Sequence, residues 1–303
     1  MIYTLTVNPA IDYVIAIDSF VEGQINKTKA ADIYAGGKGI NVSQVLREFD
    51  VENVALGFTA GPTGEMLESM LTSGGVDTSL IHVSGGATRI NVKINAGVET
   101  EINGQGPDIT AEDISKLYDR LGTLSAKDML IMSGSVPKCV GDDLYADLCK
   151  FALDKGTKTV VDATKNLLTA TLNYHPFLIK PNHHELGEMF GVDIDTYDDA
   201  IEYAARLKEA GAINVMVSMG AKGAVLLDEY GKSHICEAPA GKVVNSVGAG
   251  DTTVAAFVAE YLRQTTDAKV DYEAILHFAV KAGSATAFKS GLITKGDIIN
   301  FEP

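Results

Sequence analysis

Short apolar runs punctuate the chain from about residue 108 onward, with amphipathic stretches of helical length between them. Residues 129–132, 159–161, 177–179 and 215–217 are too short for helices and are built of apolar or β-branched side chains, as strands covered on both faces require. This alternation predicts an α/β fold in which a mainly parallel sheet is covered by helices on both faces. The ligand crevice then lies at the carboxyl ends of the strands. The loops that follow these runs carry the polar motifs: Ser133-Gly-Ser135, Lys180-Pro-Asn-His-His-Glu185 and Ser218-Met-Gly220. No internal repeat or linker interrupts residues 1–303, so one domain is expected.

Two segments break the rhythm. One is residues 12–35, strand-like over 12–18 and 27–35. The other is residues 87–104, where Ile90, Val92 and Ile94 alternate with Arg89, Asn91 and Lys93. The second is a two-faced strand, and Asn95-Ala-Gly97 supplies a turn before 98–103 returns. Together they predict a small antiparallel sheet standing off the main domain as a lid. Its polar face would turn Arg89 toward a ligand. Its apolar face has too little chain to cover it within one subunit, which predicts a homodimer formed lid to lid. Packing of this sheet on the main core is the alternative.

Composition narrows the function classes. The 303 residues are 46% hydrophobic, enough for a large core, and 25 basic against 40 acidic residues give a formal charge of −15. Without a Lys/Arg run, that charge disfavours nucleic acid and anionic membranes, and an anionic ligand must be held by a few placed cations. Cys139, Cys149 and Cys236 are odd in number and lack C-x-x-C spacing, which suits structural fillers in a reducing cytoplasm. Residues 1–7 read as a buried strand rather than a signal peptide, and no apolar run approaches the roughly 20 residues of a membrane-spanning helix, so a cytoplasmic protein is expected.

The chemistry concentrates in three motifs. Residues 252–262 are almost all apolar or small, as a buried helix requires, and Gly248-Ala249-Gly250 leaves backbone N–H groups uncovered at its start, a site for an anion. Asp251 beside an anion is poorly suited to bind it and well suited to accept a proton from an attacking hydroxyl; the bland reading is an N-cap. Gly36-Gly-Lys-Gly-Ile-Asn41 opens a second helix, with Val42, Val45, Leu46 and Phe49 at helical spacing. Its glycines permit close backbone approach, Asn41 can reach a hydroxylated ligand and Lys38 can offer a cation to phosphate. Neither a Walker A loop nor a Gly-x-Gly-x-x-Gly after the first strand is present, which weakens a dinucleotide-binding oxidoreductase. In Asn182-His-His-Glu185 the Asn and Glu are spaced as a capping box, and equally as an amide and a carboxylate that could order the water shell of Mg²⁺. His183 and His184 lack metal-ligand spacing.

These three motifs in this order resemble the ribokinase-like (PfkB) family of carbohydrate kinases. The resemblance runs through Thr6-Val-Asn-Pro-Ala-Ile-Asp12, Thr88-Arg-Ile-Asn-Val-Lys93, Thr100-Glu-Ile-Asn-Gly-Gln-Gly-Pro107 and Met132-Ser-Gly-Ser-Val-Pro137, and so spans essentially the whole chain. It implies a ribokinase-like fold and ATP-dependent phosphorylation, nearest to the branch that converts fructose 1-phosphate to the 1,6-bisphosphate, with tagatose 6-phosphate as the alternative acceptor. Asp251 is then the general base and Gly248, Ala249 and Gly250 the anion hole. Asp12, Gly36, Gly37 and Asn41 hold sugar hydroxyls, and Lys27, Lys38 and Arg89 neutralise the sugar phosphate with Ser133 or Ser135 near it. Ser218, Gly220, Ala221 and Gly223 border the nucleotide phosphates, Ser284 lines the adenine pocket, and Lys180, Asn182 and Glu185 serve Mg-ATP, the last two through water on Mg²⁺. A non-catalytic sensor of the same ligands is the rival; retention of Asp251 argues against it.

Overall fold

The computed structural model describes residues 1–97, 99–265 and 270–299. Among them, nine strands form the main sheet, in the order Ser233–Cys236, Ala224–Leu227, Asn214–Ser218, Leu178–Ile179, Lys158–Asp162, Met129–Ser133, Ile2–Thr6, Asn53–Thr59 and Asp77–His82. Every neighbouring pair from Asn214–Ser218 to Asp77–His82 is parallel. The two strands at the other edge are added antiparallel through tight connections. The four apolar runs fall in this sheet. That of 177–179 is paired over Leu178–Ile179.

Strand alternation divides the core into two layers. Leu130 and Met132 join Leu117, Leu148, Leu186 and Leu207 on one face. Met129 and Ile131 join Val42, Val45, Phe257 and Ile275 on the other. The helix Ala249–Gln264 is buried along almost its whole length because it lies between this face of the sheet, the helix Lys38–Glu48 and the helix Tyr272–Ala287. At Gly283 an added Cβ would sit 2.3 Å from Thr253 Oγ1, so only glycine lets the helices Ala249–Gln264 and Tyr272–Ala287 approach this closely. Cys149 and Cys236 are buried as fillers, whereas Cys139 is exposed. Among the described residues no helix is long and apolar enough to cross a membrane.

The small sheet has the order Ala30–Gly36, Ala10–Ala16, Arg89–Asn95 and Glu99–Asn103. Its outer pairs are antiparallel, but the central pair, Ala10–Ala16 with Arg89–Asn95, is parallel. The physical reason is common origin. Both strands leave the carboxyl end of parallel strands of the main sheet, after Ile2–Thr6 and after Asp77–His82, and so start side by side with Ala10 opposite Arg89. Val98, assigned to the return strand, lies outside the described residues. One face carries Asp12, Asn91, Lys93 and Glu101. The other carries Ile33, Ile90 and Ile102, which are 45%, 46% and 58% exposed, so packing of that face on the main core stops near Ile11.

Candidate functional site

Two helices begin at the carboxyl ends of the central strands, each after a glycine that no other residue replaces without strain. The helix Lys38–Glu48 is capped by Gly37 at φ 120° and packs so closely on the first strand that a Cβ at Gly39 would lie 2.7 Å from the Leu5 carbonyl oxygen. The helix Ala249–Gln264 follows Gly248 at φ 81° and has no side-chain cap; the Ala249 amide, expected in the anion hole, instead donates to the Ser246 carbonyl at 3.2 Å, whereas that of Gly250 stays available to an anion. Asp251 is therefore not the N-cap. It sits at the third helical position, buried, and its Oδ2 accepts a hydrogen bond of 2.7 Å from Asn41 Nδ2. The Gly36–Asn41 and Val247–Asp251 motifs thus meet directly, although 210 residues separate Asn41 from Asp251.

A second buried carboxylate, unforeseen from the sequence, organises the charges. Asp162 ends the strand Lys158–Asp162, and its Oδ1 lies 3.5 Å from Lys38 Nζ and 3.3 Å from Lys180 Nζ. Burial works to raise its pKa, but the two lysines more than offset that and hold it below the usual carboxylate value. Lys38 is raised in turn, chiefly by Asp162 against the opposing effect of burial, with Asp251 and Glu185 adding to the rise. Asp251 moves the other way. Burial, then the charge of Asp162, push it up to about 6, against the partial opposition of Lys38, Asn41 and Lys180. Lys180 lies against the start of the Asp251 helix, since a Cβ on Gly250 would fall 3.3 Å from its Nζ.

Cavities open on the lid side. One of about 220 Å³ is lined by Thr6, Asn8, Gly37, Lys38, Arg89 and Ser135. Arg89 donates from Nε to the Asn8 carbonyl at 3.1 Å, which aims its guanidinium beside Lys38. A larger cavity of about 510 Å³ runs under the lid past Asp12, Asn41 and Lys93. Asp12 is buried, with Asn91 Nδ2 at 2.9 Å on Oδ1 and Lys93 Nζ at 3.0 Å on Oδ2. Gly36 faces it so closely that a Cβ would lie 2.6 Å from the Asp12 carboxyl carbon.

The remaining residues divide. Asn182 and Glu185 make both hydrogen bonds of a capping box, at 2.8 Å each, and Asn182 bridges to Ser218 across neighbouring strand ends. Gly220, Ala221 and Gly223 follow in a tight turn in which Gly220 and Gly223 have φ of 58° and 95°. Ser284 is half-buried, next to the glycine at which its helix meets the Asp251 helix. Ser133 is buried at a strand end, whereas Ser135 is exposed at the smaller cavity. Lys27 is not brought to this site within the chain. It lies exposed in the connection between Ala10–Ala16 and Ala30–Gly36, at the end of the lid away from Gly36. Among the described residues no group of three His, Cys, Asp or Glu could cage a metal. The capping box leaves Glu185 Oε1 uncommitted and Asp162 Oδ2 has no hydrogen-bond partner, a donor set that fits Mg²⁺ carried on phosphate and water rather than held by protein alone. Asp162, Asn91 and Lys93 are the members that sequence reasoning did not assign. A carboxylate placed immediately after a buried apolar run marks the first of them.

The chain is similar to known proteins along almost its whole length. Residues 5–298 match the family model described as pfkB family carbohydrate kinase. The chain is 40% identical to the 1-phosphofructokinase of Bacillus subtilis, over 97% of this chain and 95% of that protein. It is 36% identical to the D-tagatose-1-phosphate kinase of Bacillus licheniformis, over 98% and 95%. Among solved structures, phosphofructokinase-2 from Escherichia coli in complex with substrates and products is similar with a TM-score of 0.90 at 27% identity, covering 98% of this chain and 97% of that one.

Proposed function

This chain belongs to the pfkB family of carbohydrate kinases, and from the arrangement around Asp251 we propose that it transfers the γ-phosphate of ATP to the free primary hydroxyl of fructose 1-phosphate. The observation that carries this reading is the presence of separate anion positions on two sides of one raised-pKa carboxylate. Lys38, Arg89 and Ser135 surround the smaller cavity, and the uncapped Asp251 helix with Lys180 forms the other position. A hydroxyl that becomes the second phosphate ester of a bisphosphate needs this layout, with the existing phosphate held at one end and the incoming one at the other.

Transfer then rests on placement and charge. Asn41 fixes Asp251 Oδ2, leaving Oδ1 to take the proton of the attacking hydroxyl, which Asp12 orients from the lid. The amide of Gly250, with Lys180, stabilises charge on the transferring phosphoryl group. Mg²⁺, when bound with ATP, would neutralise the phosphate oxygens, and Glu185, Asn182 and Asp162 are the residues placed to order its water shell. Ser218, Gly220, Ala221 and Gly223 form the turn over the nucleotide phosphates, with Ser284 on the adenine side.

The test is ADP release from Mg-ATP with fructose 1-phosphate, tagatose 1-phosphate, tagatose 6-phosphate, fructose 6-phosphate and fructose in parallel. The expected result is a kcat/KM at least tenfold higher for fructose 1-phosphate. Preference for tagatose 6-phosphate, or for the 4-epimer tagatose 1-phosphate named in one relative, would keep the mechanism and correct the sugar; equal use of unphosphorylated fructose would remove the phosphate-clamp role of Lys38 and Arg89.

The exposed Ile33, Ile90 and Ile102 support assembly of two copies through the outer face of the lid. Light scattering should give twice the 32.1 kDa chain mass, and Ile90→Asp combined with Ile102→Asp should give the monomer. A wild-type monomer at micromolar concentration would exclude the arrangement.

A further inference from the structure

Beyond ordering water on Mg²⁺, the proposed transfer gives Asp162 no step, yet it is 1% exposed and pairs with Lys38 and Lys180. Its Oδ2 has no hydrogen-bond partner, and neither has the buried hydroxyl of Ser133, its register partner on the neighbouring strand. Burying a carboxylate with one oxygen unsatisfied is costly, and such groups persist where they perform a task. The two lysines belong to different places. Lys38 begins the helix beside the sugar-side cavity, and Lys180 lies against the start of the Asp251 helix. Both have Asp162 as their ion-pair partner, and neither is paired with Asp251, whose recorded hydrogen bond is with the neutral amide of Asn41.

We propose that Asp162 is a positioning residue that draws Lys38 and Lys180 onto one shared oxygen, fixing the two anion positions relative to each other and keeping both cations off Asp251. The inference rests on the kinase reading above. Without Asp162, a lysine is free to pair with Asp251, the base becomes weaker, and the two phosphate positions lose their common anchor.

Asp162→Asn keeps the shape and removes the charge. With whichever phosphosugar the wild type turns over, KM for both the sugar phosphate and Mg-ATP should rise about tenfold, and the acid limb of the kcat profile should move to lower pH. Carboxyl ¹³C NMR of Asp251 reports the same movement without any acceptor: it should titrate below the wild-type position, which is about 6. That readout separates failure of this inference from failure of the substrate assignment. A lower Tm with both KM values within twofold of wild type and an unmoved Asp251 titration would reduce Asp162 to a packing role and overturn the proposal. If Asp162→Asn does not fold, Lys180→Met decides. Through the shared carboxylate it should raise KM for the phosphosugar as well as for Mg-ATP, and a rise confined to Mg-ATP would show that the lysines act independently.

Discussion

Replacing Asp251 with Asn is expected to lower kcat about 10²–10⁴-fold while KM for the phosphosugar changes by less than about threefold, because general-base assistance is lost and the isosteric amide still fits against Asn41. The pH dependence follows from the environment of this carboxylate. Its pKa is raised to about 6 by burial and by Asp162, so wild-type kcat should fall as pH drops through 6, and the residual activity of the variant should lack that limb. The stability consequence has the opposite sign. A carboxyl group whose folded pKa lies above its ordinary 3.8 binds its proton more tightly in the folded state. Its charged form therefore opposes folding fully above about pH 6, and the penalty vanishes below the unfolded value. Asp251→Asn should thus melt higher than wild type at pH 7.5, with the difference shrinking toward pH 4. Calorimetry at the two pH values measures this. A variant with wild-type turnover would remove Asp251 from the base role, and one that melts lower at pH 7.5 would contradict the assigned burial penalty.

Gly37→Ala is expected to cost both stability and activity. Gly37 holds φ 120°, ψ 135°, a region closed to L side chains, and an added methyl would lie 2.7 Å from Thr6 Cγ2 and 3.3 Å from Pro9 Cα. Backbone strain of about 1–3 kcal/mol and overpacking of similar size add to roughly 2–6 kcal/mol. At about 2 °C per kcal/mol for a chain of this size, Tm should fall by roughly 4–12 °C. Relief by shifting the helix start moves Lys38 and Asn41, and a displacement of about 1 Å there should reduce kcat/KM on the order of 10²-fold. Retention of wild-type Tm and kcat/KM would mean that the paired glycines serve neither purpose.

The sequence carried the architecture well because the central strands are apolar runs and the loops at Ser133, Lys180 and Ser218 each follow one. Residues 129–132 and 215–217 are examples, and the glycines before Lys38 and Ala249 announced both helix starts. Lid topology was less legible. Alternation of Ile90, Val92 and Ile94 with Arg89, Asn91 and Lys93 says which residues share a face, but it carries no information on the direction of the neighbouring strand, and the central pair is parallel. Asp162 escaped because an apolar-run criterion stops at Val161 and treats the next residue as loop; its importance arises from Lys38 and Lys180, which lie 124 and 18 residues away in sequence. Lys27 shows the converse. The resemblance implied a role, and the fold of one chain leaves it at the far end of the lid. The spacing of Asn182 and Glu185 supported two readings, and the capping box is the one visible in the hydrogen bonds.

The strand order has a consequence for how the protein comes into being. Ile2–Thr6 lies inside the main sheet, paired first with Asn53–Thr59 and on its other edge with Met129–Ser133. A chain emerging from the ribosome therefore carries Ile2–Thr6 with one edge open until Met129–Ser133 has been made, and the sheet then grows from that edge. The helix that bears Asp251 follows every strand of the sheet in chain order and completes the apolar layer over Val42, Val45 and Leu46. This strand order makes the main sheet depend on long-range closure, which slows folding relative to local pairing, and the site around Asp251 is complete only when the helix that bears it packs on the layer made earlier.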